Sequence, residues 1–458
     1  MIVKNFKDIC GFYFEKLEDG YFISNDFGEC SIVKKNEFEK LLNKKKKKKE
    51  NLKIQNELIK KYKNLTSYVF SSPSLHIMVI TLRCNHLCKY CRTQNFGASS
   101  EMSEETARKT IDFILNTPSQ NIAIEFQGGE PLLNWKTFKM SIDYIKSKKS
   151  DKDIKLSIVT NLSLMDDDKL KFLLLNNVSI CTSLDGPEKI HNANRPYNGG
   201  SSYQKTIYWL KKIKKLVDSR SKGEKDSLPQ ALMTTTKFSL SNPQAIIEEY
   251  LNLGIGGIFI RPLSPIGYAK YKWSEIGYNA KDFLDFYEKS LDYIIKINYS
   301  EKFIERNAAI KLKKIIFNED PNYLDLRSPC GGAIGQIAYN YDGDIYTCDE
   351  GRMLGAYGDF SFRIGNVFNS SYYEIINSGP ARVCAMASCL ENQPKCFRCA
   401  FKPYCGICPV FNYETSKTPY GSYKSQYWCE IEKGIFKILI KKLSKKENYK
   451  IFLRWFDA

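Results

Sequence analysis

The chain has 458 residues, of which 43% are hydrophobic, so it is long enough for several domains and too apolar for a disordered protein. Its formal net charge of +18 suits an acidic peptide or a nucleic acid as partner and does not choose between them. No stretch approaches about 18 uncharged apolar residues and no signal-like segment opens the sequence, so we expect a cytoplasmic protein without a membrane span.

Residues 1–73 predict a small α+β unit. Strand-like segments occupy residues 11–17 and 21–34, and helical segments begin behind Asn36, as a helix cap, and at Asn51. This pattern fits either a peptide-recognition element or a plain packing extension.

Residues 74–320 alternate between strand-like and helix-like segments. Apolar runs suited to buried parallel strands lie at 75–82, 122–126, 154–160, 178–184, 230–236 and 257–263. Helical patterns lie at 103–116, 135–148, 166–176, 203–218, 243–253 and 280–297. Six strand–helix repeats predict an α/β fold built on a partial (β/α)6 barrel with right-handed crossovers.

The cysteines indicate metal sites. Fifteen are present, three of them between residues 84 and 91 and nine between residues 330 and 429. Disulfides are rare in the cytoplasm, so such clusters favour metal binding. Only three histidines accompany them, which favours all-thiolate clusters over mixed zinc sites.

The first cluster, Cys84-x3-Cys88-x2-Cys91, directly follows the first predicted barrel strand. Active sites of such barrels lie at the carboxyl ends of the strands, so this loop is expected at the catalytic mouth. Three thiolates can bind three irons of a [4Fe–4S] cube, whose fourth iron then stays open for another ligand. A zinc site completed by His86 is the alternative, but no matching second cysteine pair lies nearby.

Further polar residues follow the next predicted strands. Two glycines let backbone approach a ligand closely, and an arginine pairs well with a carboxylate. For each of these residues taken alone, a role in capping a loop or in a structural ion pair is the alternative. The residues at these strand ends are Gly128, Gly129, Glu130, Thr160, Asn161, Ser183 and Asp185, with Arg195 in the loop beyond.

Together these motifs resemble the radical S-adenosylmethionine (SAM) superfamily, including the aromatic Tyr90 before the last cysteine and the Gly-Gly-Glu turn. The resemblance implies that Cys84, Cys88 and Cys91 hold a [4Fe–4S] cluster that cleaves SAM to a 5′-deoxyadenosyl radical. It also implies that SAM is bound by Gly128, Gly129, Glu130, Thr160, Asn161, Ser183, Asp185 and Arg195.

Residues 321–430 look like the SPASM domain of the peptide-modifying branch of that superfamily, followed by a helical tail over 431–458. The resemblance implies two auxiliary [4Fe–4S] clusters. The nearer one matches Cys330, Cys348 and Cys408, and the farther one matches Cys396, Cys399, Cys405 and Cys429. Position 336 is Gln where the family usually has cysteine, so the nearer cluster either keeps an open iron or is completed by Cys384 or Cys389.

Asp349 directly follows Cys348. In sulfatase-maturating relatives an aspartate at this place is a proposed base, so the resemblance makes Asp349 a candidate base. A cap of the ligand loop is the alternative.

More narrowly, the chain resembles the His-Xaa-Ser system maturases over the motifs at 21–28, 75–77, 81–86, 125–134 and 403–410. This resemblance implies a ribosomally made precursor peptide, of the His-Xaa-Ser repeat type, that receives a cyclophane-type C–C cross-link or related bond. An electron donor such as ferredoxin or flavodoxin is implied as partner. Two alternatives are a radical SAM enzyme acting on RNA, disfavoured because no RNA-binding module is recognisable, and a non-catalytic zinc-stapled binding module.

Overall fold

The computed structural model describes residues 12–42, 59–60, 62–64, 66–93, 99–218, 229–421 and 427–457. The predicted helix from Asn51 lies largely outside these residues. The chain forms two compact units. The barrel unit comprises residues 71–279 and 332–385, and the terminal unit comprises residues 1–70, 280–331 and 386–458. These units divide the chain along different lines from the four predicted ranges.

The strands, numbered along the chain, are β1 (Tyr13–Leu17), β2 (Gly20–Ser24), β3 (Cys30–Val33), β4 (Leu75–Thr81), β5 (Asn121–Gly128), β6 (Asp153–Val159), β7 (Val178–Ser183), β8 (Gln230–Thr234), β9 (Gly257–Ile258), β10 (Ile260–Arg261), β11 (Ile304–Glu305), β12 (Gln336–Tyr339), β13 (Asp344–Tyr346) and β14 (Arg363–Asn366). The longer α-helices span Lys35–Leu42, Glu104–Leu115, Trp135–Ser147, Asp167–Leu175, Glu188–Asn194, Ser202–Asp218, Pro243–Asn252, Ala280–Ile297, Arg306–Phe317, Asp349–Gly355, Gly379–Ser388, Pro409–Ser416, Tyr427–Leu443 and Lys446–Arg454. Shorter ones span Tyr268–Tyr271, Trp273–Ile276 and Tyr372–Ile376.

The barrel unit is built on one sheet in the order β10-β8-β7-β6-β5-β4-β12-β13-β14. Every pair from β10 to β12 is parallel, and β13 and β14 continue the sheet antiparallel. The six predicted strand regions are all present, so the α/β partial-barrel prediction is confirmed. The sheet also takes in β12 to β14, from the cysteine-rich part of the sequence, because β12 pairs with the free edge of β4.

The two faces of this sheet differ in composition. On β5, Ile124 and Phe126 are fully buried, and Phe126 packs on Phe138 of the helix Trp135–Ser147, with ring centroids 4.9 Å apart. The alternate residues Glu125 and Gln127 are only half-buried and lie on the opposite face. Since side chains alternate along a strand, this second face presents polar groups at the carboxyl ends of the strands.

The terminal unit begins with the antiparallel sheet β1-β2-β3. The predicted strand at 21–34 is two strands, because the Asn25 side chain accepts hydrogen bonds from the amides of Phe27 and Glu29 and turns the chain. The next helix begins at Lys35, so Asn36 is not its cap as predicted. The Lys34 amide donates to the Glu37 carboxylate instead, at 2.9 Å.

The C-terminal tail is helical, as predicted, and forms part of the core of the terminal unit. The helix Tyr427–Leu443 buries Ile431, Ile435 and Leu439 completely, and it packs along the helix Ala280–Ile297. No helix within the described ranges is both long and apolar enough to cross a membrane.

Candidate functional site

The three cysteines of the first cluster lie on the loop that leaves the carboxyl end of β4. The His86 amide lies 3.4 Å from Cys84 Sγ, and the Cys91 amide donates to the Cys88 carbonyl at 3.1 Å. Burial raises the pKa of Cys84 to about 11 and that of Cys88 to about 12. Buried thiols of this kind are protonated on their own, and a bound metal centre supplies the positive charge that lets them ionise.

This donor set fits an iron–sulfur cube. No three His, Cys, Asp or Glu side chains of the described residues converge closely enough to hold a single metal ion. A cube takes each thiolate on a different iron, so its sulfurs are spread more widely than those around one ion. Three thiols on one short loop, with a backbone N–H directed at Cys84 Sγ, match the donors that a cube requires.

Gly128, the last residue of β5, and Gly129, which follows it, fix the position of the cysteine loop. A Cβ on Gly128 would lie 2.2 Å from the Thr81 carbonyl oxygen, and one on Gly129 would lie 2.1 Å from the Arg83 carbonyl oxygen. The amides of Gly129 and Glu130 donate to those same two carbonyls, at 2.9 and 2.8 Å. These two amides are therefore already hydrogen-bonded within the protein. The glycines are needed because backbone approaches backbone here.

Glu130 is fully buried and joins the ends of β5 and β6. One carboxylate oxygen accepts from the Thr160 hydroxyl at 2.7 Å and the Leu132 amide at 3.1 Å, while the other accepts from the Asn161 amide at 2.7 Å. Burial raises the pKa of Glu130, and these hydrogen bonds oppose the rise. The three predicted SAM ligands Glu130, Thr160 and Asn161 are thus brought together, chiefly by bonds to one another.

A buried hydrogen-bond network connects His86, which lies on the cysteine loop, to residues elsewhere in the barrel unit. Asn161 Nδ2 donates to His86 Nδ1 at 2.9 Å, and His86 Nε2 lies 2.9 Å from the Ser202 hydroxyl. His191 Nε2 lies 3.0 Å from the same hydroxyl, and the Asp185 amide donates to His191 Nδ1. The two Nε2 atoms therefore share one hydroxyl, and His86 Nδ1 also lies 3.2 Å from the side-chain oxygen of Asn85. Burial lowers the pKa of His86 to about 3, so the ring is neutral.

The remaining predicted SAM ligands lie around Tyr90. The Tyr90 hydroxyl donates to Asp185 at 2.9 Å and accepts from Arg195 Nη1 at 2.7 Å. Arg195 Nε is buried and has no hydrogen-bond partner among the described residues, so it offers a donor that suits a carboxylate. Ser183 is half-buried at the end of β7, two residues before Asp185.

Sequence reasoning missed Glu125, an acidic residue in an otherwise apolar strand. It pairs across the sheet with Ser157, whose side chain hydrogen-bonds it. Burial, with the nearby charge of Asp349, raises the pKa of Glu125 from 4.5 to about 7. The candidate base Asp349 itself accepts a 2.7 Å hydrogen bond from Arg352 Nε. The sequence did contain a signal for Glu125, because an acidic residue alternates there with the buried apolar residues Ile124 and Phe126.

The next carboxylate, Glu350, is neutralised. Arg92 pairs with it at 2.9 Å, and Arg261 lies 3.9 Å away. Burial works to raise the pKa of Glu350, but the two arginines outweigh it and lower the pKa. Asp349 has Arg352, whereas no lysine or arginine of the described residues is within ion-pair distance of Glu125. Of the three carboxyls of Glu125, Asp349 and Glu350, that of Glu125 is therefore the one that no arginine or lysine of the described residues holds in its charged form.

In the terminal unit, five of the predicted ligand cysteines line one cavity of about 310 Å³. They are Cys396, Cys399, Cys405, Cys408 and Cys429. Burial raises the pKa of Cys396 to about 11, and it also raises the pKa of Cys405 well above its ordinary value. The complete set predicted for the farther auxiliary cluster thus surrounds one space, and its buried thiols suit a metal cluster.

The cysteines predicted for the nearer auxiliary cluster are divided between the units. Cys330, Cys389 and Cys408 belong to the terminal unit, and Cys348 and Cys384 to the barrel unit. Cys348 and Cys408 each cap a helix, accepting hydrogen bonds at Sγ from the amides three residues on, at 3.4 Å. Their sharing of one cluster stays a prediction.

Comparison with known proteins agrees with these motifs. Residues 78–223 match the family model of the radical SAM superfamily. The chain is 25% identical over 393 residues to the radical SAM cyclopropyl synthase TigE of Paramaledivibacter caminithermalis, across 81% of this chain and 74% of that protein. It is 26% identical over 393 residues to a cysteine-type anaerobic sulfatase-maturating enzyme of Clostridium novyi, across 81% and 96% of the two chains.

Solved structures share the fold. The sulfatase-maturating enzyme anSMEcpe with bound AdoMet aligns with a TM-score of 0.67 at 19% identity, over 82% of this chain and all 100% of that one. Streptococcus suis SuiB bound to its precursor peptide SuiA aligns with a TM-score of 0.56 at 14% identity, over 91% and 98% of the two chains.

Proposed function

We propose that the chain is a radical SAM enzyme that modifies a ribosomally made precursor peptide. Its match to the radical SAM family model over residues 78–223 and its similarity to TigE and to a sulfatase-maturating enzyme support this proposal. The observation that carries the proposal is the loop of Cys84, Cys88 and Cys91, locked to the Gly-Gly-Glu turn beside a polar sheet face. The relatives support a peptide substrate, since SuiB was solved with its precursor peptide SuiA and anSMEcpe with the Cp18Cys peptide.

The finer assignment is to the His-Xaa-Ser system maturases. The substrate would then carry His-Xaa-Ser repeats, and the product would contain a cyclophane-type C–C bond between two side chains. A ferredoxin or flavodoxin would deliver the electrons. The motifs at 21–28, 125–134 and 403–410 support this assignment.

The residues present fit the cofactors of such an enzyme. Cys84, Cys88 and Cys91 would bind three irons of the SAM-cleaving cluster, and Cys396, Cys399, Cys405 and Cys429 would bind an auxiliary cluster. When bound, a reduced cluster and SAM supply a 5′-deoxyadenosyl radical that takes a hydrogen atom from the peptide, and auxiliary clusters supply an electron acceptor. The Nε donor of Arg195 would suit the carboxylate of SAM.

The chain's own residues would position the substrate and handle a proton. Forming a C–C bond from two C–H bonds removes two hydrogen atoms, one as the atom abstracted and one as a proton and an electron. Asp349 and Glu125 lie near each other at the carboxyl side of the barrel unit, and Glu125 has a pKa of about 7, so it takes up a proton readily at neutral pH. Arg352 holds Asp349 in place.

The test is anaerobic incubation of reconstituted, reduced enzyme with SAM and a synthetic precursor peptide encoded beside the gene. We expect 5′-deoxyadenosine and a peptide lighter by two hydrogen atoms. Cys84→Ala should give neither product, whereas Cys30→Ala, which removes a buried cysteine outside every predicted cluster, should give both. Formation of 5′-deoxyadenosine with no change of peptide mass would contradict a role in maturing that peptide.

A further inference from the structure

The cavity of the four cysteines Cys396, Cys399, Cys405 and Cys429 is lined on one side by the helix Tyr427–Leu443. Cys429 and Lys433 are four residues apart on this helix, so they occupy the same helical face. Both side chains line the cavity. Burial raises the pKa of the Cys429 thiol, and the ammonium of Lys433 is the first of the influences that oppose this rise. A positive charge therefore lies beside the predicted ligand set.

The acidic neighbours do not cancel this charge. Glu432 also lines the cavity, but it is almost wholly buried and paired with Lys311 at 3.1 Å. Glu15 lies 3.8 Å from Lys433 and only 2.7 Å from Lys437. One carboxylate thus faces two lysines, and the pair keeps an excess of one positive charge.

Other lysines around the cavity are balanced differently. Lys402 pairs with Asp26 at 2.5 Å and lies 3.8 Å from Glu391, so its charge is neutralised. Lys314 is fully buried behind the site, and its ammonium donates to the Leu326 carbonyl. Lys395 also lines the cavity and also opposes the rise in the pKa of Cys429, but its influence is smaller than that of Lys433. Lys433 therefore combines a place on the cavity wall, one helical turn from Cys429, with a charge that acidic residues do not fully compensate.

We propose that Lys433 raises the reduction potential of an iron–sulfur cluster held by Cys396, Cys399, Cys405 and Cys429. The proposal rests on the auxiliary cluster of the proposed function. Reduction adds one negative charge to a cluster that already carries four thiolates. A nearby cation stabilises the reduced form more than the oxidised form, and charge near the sulfurs is one of the factors that set cluster potentials. Lys433 thereby favours a cluster that accepts electrons over one that donates them.

The experiment uses the full chain with Cys84, Cys88 and Cys91 all changed to Ala, so that the remaining clusters give the signals. After anaerobic reconstitution, iron and sulfide are measured and the midpoint potentials are obtained by redox titration with electron paramagnetic resonance. Lys433→Gln should lower the midpoint potential of one cluster without loss of iron. Lys433→Arg, which keeps the charge, should restore it.

Lys437→Gln is the matched control. Lys437 lies one turn further along the same helix and shares Glu15, but it does not line the cavity. It should leave the potential of that cluster much closer to the original value. Unchanged midpoint potentials in Lys433→Gln with full iron content would overturn this inference and leave the proposed function intact. Absence of iron from the triple-Ala protein would overturn the auxiliary cluster of the proposed function and the inference with it.

Discussion

The hydroxyl of Tyr90 donates a 2.9 Å hydrogen bond to the buried carboxylate of Asp185. The same hydroxyl accepts from Arg195, so it joins two buried charges beside the cysteine loop. Tyr90→Phe leaves both groups without this partner, and an unsatisfied buried polar group costs about 1–3 kcal/mol. We expect a loss of that size in the free energy of unfolding, measured by chemical denaturation.

Tyr144→Phe provides the comparison for this prediction. Tyr144 also donates to a carboxylate, that of Asp112 at 3.1 Å, but it is half-buried on the outside of the barrel unit. Water can replace that bond, so a loss below about 1 kcal/mol is expected. Equal losses in the two variants would contradict a special role for the buried link.

Gly129 sets the distance between the end of β5 and the cysteine loop. In Gly129→Ala the new Cβ would lie 2.1 Å from the Arg83 carbonyl oxygen, one residue before Cys84. The loop must move to relieve this clash, so we expect Gly129→Ala to bind less iron after reconstitution. Gly256→Ala, where nothing lies within 4 Å of the added Cβ, should bind the normal amount. Normal iron content in both variants would show that the loop tolerates the shift.

The six barrel strands were predictable because each is an apolar run at a regular spacing from the next. The strands β12 to β14 were not, because they are three or four residues long. Their place in the sheet depends on the pairing of Gln336 with Leu75, far apart in sequence. Local pattern carries no information on such a contact.

The candidate site was predictable to a similar extent. Cysteine spacing identified the loop at Cys84, and the Gly-Gly-Glu turn identified its neighbour. The sequence did not show that the Glu130 carboxylate accepts hydrogen bonds from Thr160 and Asn161. Such partners depend on which strands lie side by side in the sheet. For the same reason the sequence did not single out Glu125.

The Ser202 hydroxyl lies between two buried imidazoles, at 2.9 Å from His86 Nε2 and 3.0 Å from His191 Nε2. In Ser202→Ala both Nε2 atoms lose this hydrogen-bond partner at a buried position. At about 1–3 kcal/mol for each unsatisfied group, we expect a total loss of roughly 2–6 kcal/mol in the free energy of unfolding. Ser141→Ala is the control, because this buried hydroxyl donates only to the Thr137 carbonyl of its own helix. A loss in Ser202→Ala no larger than in Ser141→Ala would argue against a hydroxyl shared by the two imidazoles.

Glu125 makes the stability of the barrel unit dependent on pH. Its pKa rises from 4.5 to about 7 on folding because the half-buried carboxyl loses much of its contact with water and lies near Asp349. The folded state therefore holds the proton more tightly than the unfolded chain. This contribution is fully present below about pH 4.5 and is lost as the pH rises through about 7, with a total of about 3 kcal/mol as an upper value.

Glu125→Gln removes that titration while keeping the shape of the side chain. Relative to the unchanged protein, the variant should gain stability as the pH rises from about 5 to about 8, because only the unchanged protein has to bury a charged carboxylate at the higher pH. Chemical denaturation at both pH values measures the difference. Glu105→Gln, at an exposed position on the helix Glu104–Leu115, should follow the unchanged protein at both. If Glu125→Gln also follows it, the carboxyl of Glu125 does not hold a proton in the folded protein and is not the proton acceptor proposed for the site.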